Sequence, residues 1–132
     1  ICLTRNPYAQ IQSNIRRYQT DILDATKKYI TYLTFQKNNL EKLENTLLIS
    51  YEELTDNPIQ TKEKIVGFLA ELNDININLK FNAHNMLEKK EMAITNLNQK
   101  SIDSLSNDQI QSINSILEKE KDLLDFFNYT IK

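Results

Sequence analysis

A single glycine, Gly67, in 132 residues is the feature that most narrows what this chain can build. Loops that wrap a phosphate in backbone N–H groups need several glycines, so that the main chain can approach the anion, and one glycine inside a helical stretch makes no such loop. A nucleotide-binding fold, if the chain has one, is incomplete here. The length suits one domain with one core, and hydrophobic and charged fractions of 40% and 26% are ordinary for a globular domain. Lys and Arg number 16 against 18 Asp and Glu, which argues against a nucleic-acid binder, since such proteins carry a basic excess. No apolar run approaches the length of a transmembrane helix. The lone Cys2 allows no internal disulfide, and its apolar neighbours make it a buried, inert thiol.

Ile1 to Leu3 suits a buried strand, and Asn6-Pro7 signals a helix start: Asn6 caps, and Pro7 brings the required φ with no N–H left over. Tyr8, Ile11, Ile15, Tyr18 and Ile22 then recur at helical spacing on one face, while Gln10, Gln12, Ser13, Arg16 and Arg17 form the polar side. Strand, turn and helix N-terminus together predict an anion site, because unpaired N–H groups and the positive end of the helix dipole point at the turn. Arg5 stands at that turn, with a planar fork of donors suited to phosphate. Taken alone, an arginine in this position is more often a surface residue or a carboxylate's partner than a ligand contact.

Thr20 and Asp21 offer a cap for a second helix, with Ile22, Ala25, Tyr29, Ile30 and Leu33 as its apolar side, unless the two helices run on as one. Asn38-Asn39 and the charged run Glu41 to Glu44 read as a turn or short polar helix. Thr46 to Ser50 predicts a strand parallel to the first, the helices between supplying the crossover. Tyr51 and Glu52 are expected to fix the corner that follows; Glu52 and Glu53 point apart as neighbours and make no acid/base couple. Asn57-Pro58 opens a helix, with Gln60 completing a capping box and Ile65, Phe68, Leu69 and Leu72 as its buried face. Asn73 to Ser104 is asparagine-rich and reads as irregular, with a short amphipathic helix over Met86 to Leu97 carrying Lys89 and Lys90. His84, the only histidine, has no cluster of ligands near it in sequence and reads as a surface or core-edge residue, so no metal site is expected. Ser106 and Gln109 box the start of the last helix, Leu105 and Ile110 staple it, and Ile110, Ile113, Leu117, Leu124 and Phe127 face the core.

Arg5-Asn6-Pro7, five residues and then Ser13, placed after an apolar strand, resembles the 3′-phosphate-binding motif of sulfotransferases that use 3′-phosphoadenosine 5′-phosphosulfate (PAPS). Ile49 to Leu69 is similar to that family's strand, Tyr-Glu-Asp-Leu, Asp-Pro and helix segment, with Glu53 in place of the Asp and Asn57 inserted between Asp56 and Pro58. Leu105 to Tyr129 looks like its closing helix and frequent Gly-Tyr ending, with Asn128 where the glycine stands. The resemblance implies an α/β fold of P-loop nucleotide-binding type, of which residues 1–132 are the C-terminal portion, mostly helical with about two parallel strands. It implies transfer of a sulfuryl group from PAPS to a hydroxyl or amine acceptor, with Arg5 and Ser13 as cofactor-binding residues. No catalytic residue is implied within the chain. In the family, the glycine-bearing 5′-phosphosulfate loop and the base precede the Arg5 region, so the chain alone is expected to be inactive. The family's arginine-lysine-glycine loop over the 3′-phosphate has no match, because no arginine or glycine follows Gly67. Either lysines such as Lys89 or Lys100 replace it, or the cofactor is held more loosely on that side.

A non-enzymatic helical protein-binding module, its amphipathic helices packed on a partner, is the alternative. Another P-loop phosphoryl-transfer enzyme fits less well, since nothing resembles a magnesium-binding carboxylate motif. The acceptor class and the oligomeric state leave no trace in these residues.

Overall fold

A computed structural model describes residues 1–82 and 91–132, the side chains of Phe81 and Asn82 excepted. Strand β1 (Cys2–Thr4) pairs in parallel with β2 (Leu48–Ser50), Leu3 opposite Ile49. Parallel neighbours need a crossover. It is made by α1 (Pro7–Tyr18) and α2 (Ile22–Lys42), as the two apolar runs flanking a helical pattern require. Asn6 caps α1 by accepting from Ala9 N–H at 3.3 Å, with Pro7 at the first position. The helix stops at Gln19, which takes a left-handed φ of 49°, so α1 and α2 are separate. Tyr18, expected on the buried face, lies at this end and is 63% exposed. Asp21 starts α2, accepting from Leu23 and Asp24 N–H.

Helix α2 runs through Asn38, Asn39 and Glu41 to Lys42, where a turn or short separate helix was expected. Its inner side explains this: Leu33 is buried and Leu40 packs on the core, so burial carries the helix past two weak helix formers. The core lies between helices. Tyr8, Ala9 and Ile11 of α1 and Ala25, Tyr29 and Leu33 of α2 meet Ile113 and Leu117 of α6 (Asn107–Leu117) and Leu123 and Leu124 of α7 (Lys121–Phe126). Each leucine and isoleucine among them contributes roughly 1.5–3 kcal/mol on full burial.

The corner after β2 is a helix in its own right, α3 (Tyr51–Asp56), boxed by Ser50 and Glu53. Glu53 N–H donates to Ser50 Oγ at 3.0 Å and Ser50 N–H to Glu53 Oε2 at 2.8 Å. Asn57 makes no side-chain cap for α4 (Pro58–Phe68), so the expected box with Gln60 does not form. Buried Thr61 instead clamps the two helices, its hydroxyl donating toward Glu53 O and Asn57 O at 2.8 and 2.9 Å. The expected buried face of α4 is thinly covered: Ile65 and Phe68 are half-buried, and Leu69 and Leu72 are each 37% exposed.

Beyond α4 come turns and a short antiparallel pair, β3 (Phe81–Asn82) with β4 (Glu91–Met92), then α5 (Asn98–Ile102). The helix expected over Met86 to Leu97 is absent from its described part, where β4 and irregular backbone run up to α5; Met86 to Lys90, with Lys89, and His84 lie outside the described residues. Ser106 and Gln109 box α6 as expected. The closing helix is not continuous: a 3₁₀ turn at Glu118–Glu120, exposed throughout, divides α6 from α7. The chain is mostly helical with a small parallel sheet, an α/β arrangement.

Candidate functional site

Two hydrogen bonds and one stacking contact fix Arg5. Buried Tyr29 donates its hydroxyl to Arg5 O at 2.9 Å. Burial, with smaller contributions from Tyr129 and Glu52, pushes the Tyr29 phenol well above the usual tyrosine range, so it remains a donor at any physiological pH. Arg5 Nε donates to Asn98 Oδ1 at 2.8 Å, and the guanidinium carbon lies 4.3 Å from the centre of the Tyr51 ring. Among the described residues both terminal nitrogens of Arg5 are without a protein partner. A planar fork held at Nε and over one ring has little freedom to turn, and Arg5 borders two hollows, one shared with Ser13 and one with Tyr29 and Tyr51.

Glu52 holds Asn98 in turn. Its Oε1 accepts from Asn6 N–H at 2.9 Å and from the side chain of Asn98; Tyr129 donates to Oε2 at 3.3 Å and shares its hydroxyl with Thr4 Oγ1 at 3.1 Å. This one carboxylate therefore ties together the β1–α1 turn, α3, α5 and the C-terminal tail. It also changes where an anion can sit. The sequence places the anion at the N-terminus of α1, yet Glu52 and the Asn6 side chain already take the Asn6 and Ala9 N–H groups there. A larger hollow of about 600 Å³ borders Asn6 there, but Glu52 and Glu53 line it; the open space without a described carboxylate that Arg5 shares with Ser13 lies along the flank of α1.

That space is a cavity of about 250 Å³ in which Arg5 and Ser13 both form wall. Ser13, on the second turn of α1, faces the same hollow as the arginine eight positions earlier, since α1 turns back over the strand end from which Arg5 projects. Gln12 and Arg16 of α1 and Lys100, Ser101 and Ser104 complete the polar lining. Gln12 Nε2 donates to Ser104 Oγ at 2.7 Å, joining α1 to the turn after α5. Burial holds the Arg5 guanidinium below its usual pKa range; Tyr51 and Glu52 oppose that shift, and the like charge of Arg16 adds to it.

Tyr51 and Glu52 thus do more than shape a corner. Besides stacking on Arg5, Tyr51 donates its hydroxyl to Thr95 O at 2.9 Å and accepts from Leu97 N–H at 3.1 Å, which docks the segment leading into α5. Asn98, 8% exposed, was not singled out as a site residue by the sequence, and no local pattern marks it: Glu52 and Arg5, its side-chain partners, lie 46 and 93 residues away; Lys100, one of the two lysines offered for the missing loop, does line the cavity. Glu53 points away from Glu52, to Ser50 and to Lys64 Nζ at 3.1 Å, so the two carboxylates serve separate tasks. Among the described residues no group of three or more His, Cys, Asp or Glu is placed to hold a metal ion, and no helix is long and apolar enough to cross a membrane. Cys2 is a buried free thiol.

The C-terminal tail carries one more informative feature. Asn128 adopts φ 58°, a left-handed conformation that glycine enters freely and asparagine tolerates better than other residues. It lets Tyr129 turn back, with its N–H on Leu124 O at 3.0 Å and its ring buried. No family model, curated protein or solved structure matches this chain.

Proposed function

We propose that this chain forms the 3′-phosphate-binding part of a PAPS-dependent sulfotransferase of P-loop type, a fold of which it constitutes the C-terminal portion. The observation that carries the reading is the shared cavity: Arg5 and Ser13, paired only by resemblance, line one hollow, and among the described residues the two terminal nitrogens of Arg5 have no protein partner. Two details agree with it. Asn128 takes the backbone conformation that a glycine in the family's Gly-Tyr ending suits, and Tyr51 and Glu52, the start of the Tyr-Glu-Asp-Leu-like stretch, are the residues that hold Arg5 and its Asn98 partner. The chemistry assigned to the chain is binding and orientation. In-line sulfuryl transfer needs positive groups on the leaving oxygen and a base for the acceptor proton, and the reading places both in the residues that precede the Arg5 region of the complete domain.

The test is a titration of the complete protein with adenosine 3′,5′-bisphosphate and with adenosine 5′-phosphosulfate, which has no 3′-phosphate. Arg5→Ala loses a charge-assisted contact of about 1.5–3 kcal/mol and weakens the bisphosphate roughly ten- to hundredfold, leaving the phosphosulfate nearly unchanged. Equal losses for both ligands remove Arg5 from the role.

One observation favours the rival reading of a protein-binding module: Tyr32 and Phe35 of α2 and Leu3 of β1 are each more than half exposed. Co-purification of a stoichiometric protein partner that Tyr32→Ser and Phe35→Ser abolish, with no bisphosphate binding, would decide for it.

A further inference from the structure

We propose that Lys100 and Arg16 join Arg5 as the cationic walls of one cavity, and that the group it takes is a phosphomonoester dianion at the end of a larger molecule. This rests on the reading above and extends it to residues that the sequence motif does not contain. Arg5 comes from the end of β1, Arg16 from the last turn of α1 and Lys100 from α5, so three separate elements each bring a positive charge to a hollow of about 250 Å³. No carboxylate is among its described lining, and among the described residues none of the three is in an ion pair. The chain has a net charge of −2, so the cluster does not follow from a basic excess. Like charges drawn together in this way repel, and an anion between them turns that repulsion into attraction.

The polar groups fit the same ligand. Ser13 and Ser101 add hydroxyls to the wall, and a phosphate's terminal oxygens can accept from hydroxyls and guanidinium together. Pockets that enclose a drug-sized molecule run to roughly 300–1,000 Å³. A hollow smaller than that takes one phosphorylated end and leaves the remainder outside. With the N-terminus of α1 answered by Glu52, the anion depends on side-chain charge, and Lys100 is the charge that lies across the hollow from α1. Its placement is not left to a free loop: Asn98 is wedged between Arg5 and Glu52, and Tyr51 holds Leu97 N–H.

The test uses the complete protein, titrated calorimetrically at fixed ionic strength with adenosine 3′,5′-bisphosphate, adenosine 5′-monophosphate and inorganic phosphate. Arg5→Ala, Arg16→Ala, Lys100→Ala and Lys100→Arg are compared, each first checked for an unchanged urea midpoint. Lys100→Ala and Arg16→Ala are expected to weaken the bisphosphate about three- to tenfold and to flatten its salt dependence, with Lys100→Arg close to wild type. If Arg5→Ala weakens the bisphosphate while Lys100→Ala and Arg16→Ala stay within about twofold, the three-cation cavity is overturned and the reading of Arg5 stands. If all three phosphate ligands bind alike and all need Lys100, the cavity stands and the sulfonucleotide reading falls. Absence of binding by every ligand overturns both.

Discussion

Glu52→Ala should unfold the site from its centre. The side chain is half-buried and accepts from Asn6 N–H at 2.9 Å, from the Asn98 side chain and, more weakly, from the Tyr129 hydroxyl at 3.3 Å. A hydrogen bond to a charged acceptor contributes about 1.5–3 kcal/mol net, and partial exposure puts the two stronger ones here at the low end. Their joint loss comes to about 3 kcal/mol, a large share of the ~5–15 kcal/mol that holds a domain folded. At a urea slope near ~2 kcal/mol/M the midpoint falls by about 1.5 M with the slope unchanged. Glu52→Gln keeps the shape and an acceptor for Asn6 and Asn98, while Tyr129 can accept from the new amide; its cost should stay near ~1 kcal/mol. A Glu52→Ala midpoint within about 0.2 M of wild type would refute the view that this carboxylate joins the four segments.

Two further outcomes test the surroundings of the site. A Cβ added at Gly67, on the last turn of α4, meets nothing within 4 Å and its φ is not positive, so Gly67→Ala should stabilise by about 0.5 kcal/mol and raise the melting temperature by roughly 2 °C; a fall would show strain that the backbone does not reveal. The Ser50 N–H, and then the Lys64 ammonium, hold the Glu53 carboxyl below its usual range. A folded-state pKa depressed in this way contributes stability that is present above the unfolded pKa of about 4.3 and lost as pH falls through the folded value. The advantage of wild type over Glu53→Gln in urea midpoint should shrink between about pH 6 and pH 3, and a constant difference would contradict the capping role.

Much of what the sequence revealed was local. Asn6-Pro7 and the Ser106–Gln109 box each depend on residues a few positions apart, and each is present; the parallel pairing across 46 residues followed from two apolar runs with helices between them. The misses arise from packing between distant elements and at the ends of elements. Helix α2 continues past Asn38-Asn39 because Leu33 and Leu40 pack against other helices, and Tyr18 is exposed because α1 ends there. The box of Ser50 and Glu53 was hidden because its first residue is also the last of β2, and a strand-ending serine gives no separate sign of a cap. For the site, Arg5 and Ser13 were paired only through the resemblance, and Lys100 was one of two lysines offered there for the missing loop, whereas Asn98 and Arg16 came to it through tertiary packing. The anion site expected at the end of α1 is proposed at its flank instead, because Glu52, 46 residues from Asn6, occupies the helix terminus.

A structure of the protein with adenosine 3′,5′-bisphosphate bound tests the central claim most directly. The 3′-phosphate should lie in the cavity beside α1, with oxygens about 2.7–3.0 Å from a terminal nitrogen of Arg5 and from Ser13 Oγ. A nucleotide held elsewhere, with Arg5 still stacked on Tyr51 and only solvent between it and Ser13, would contradict the assignment.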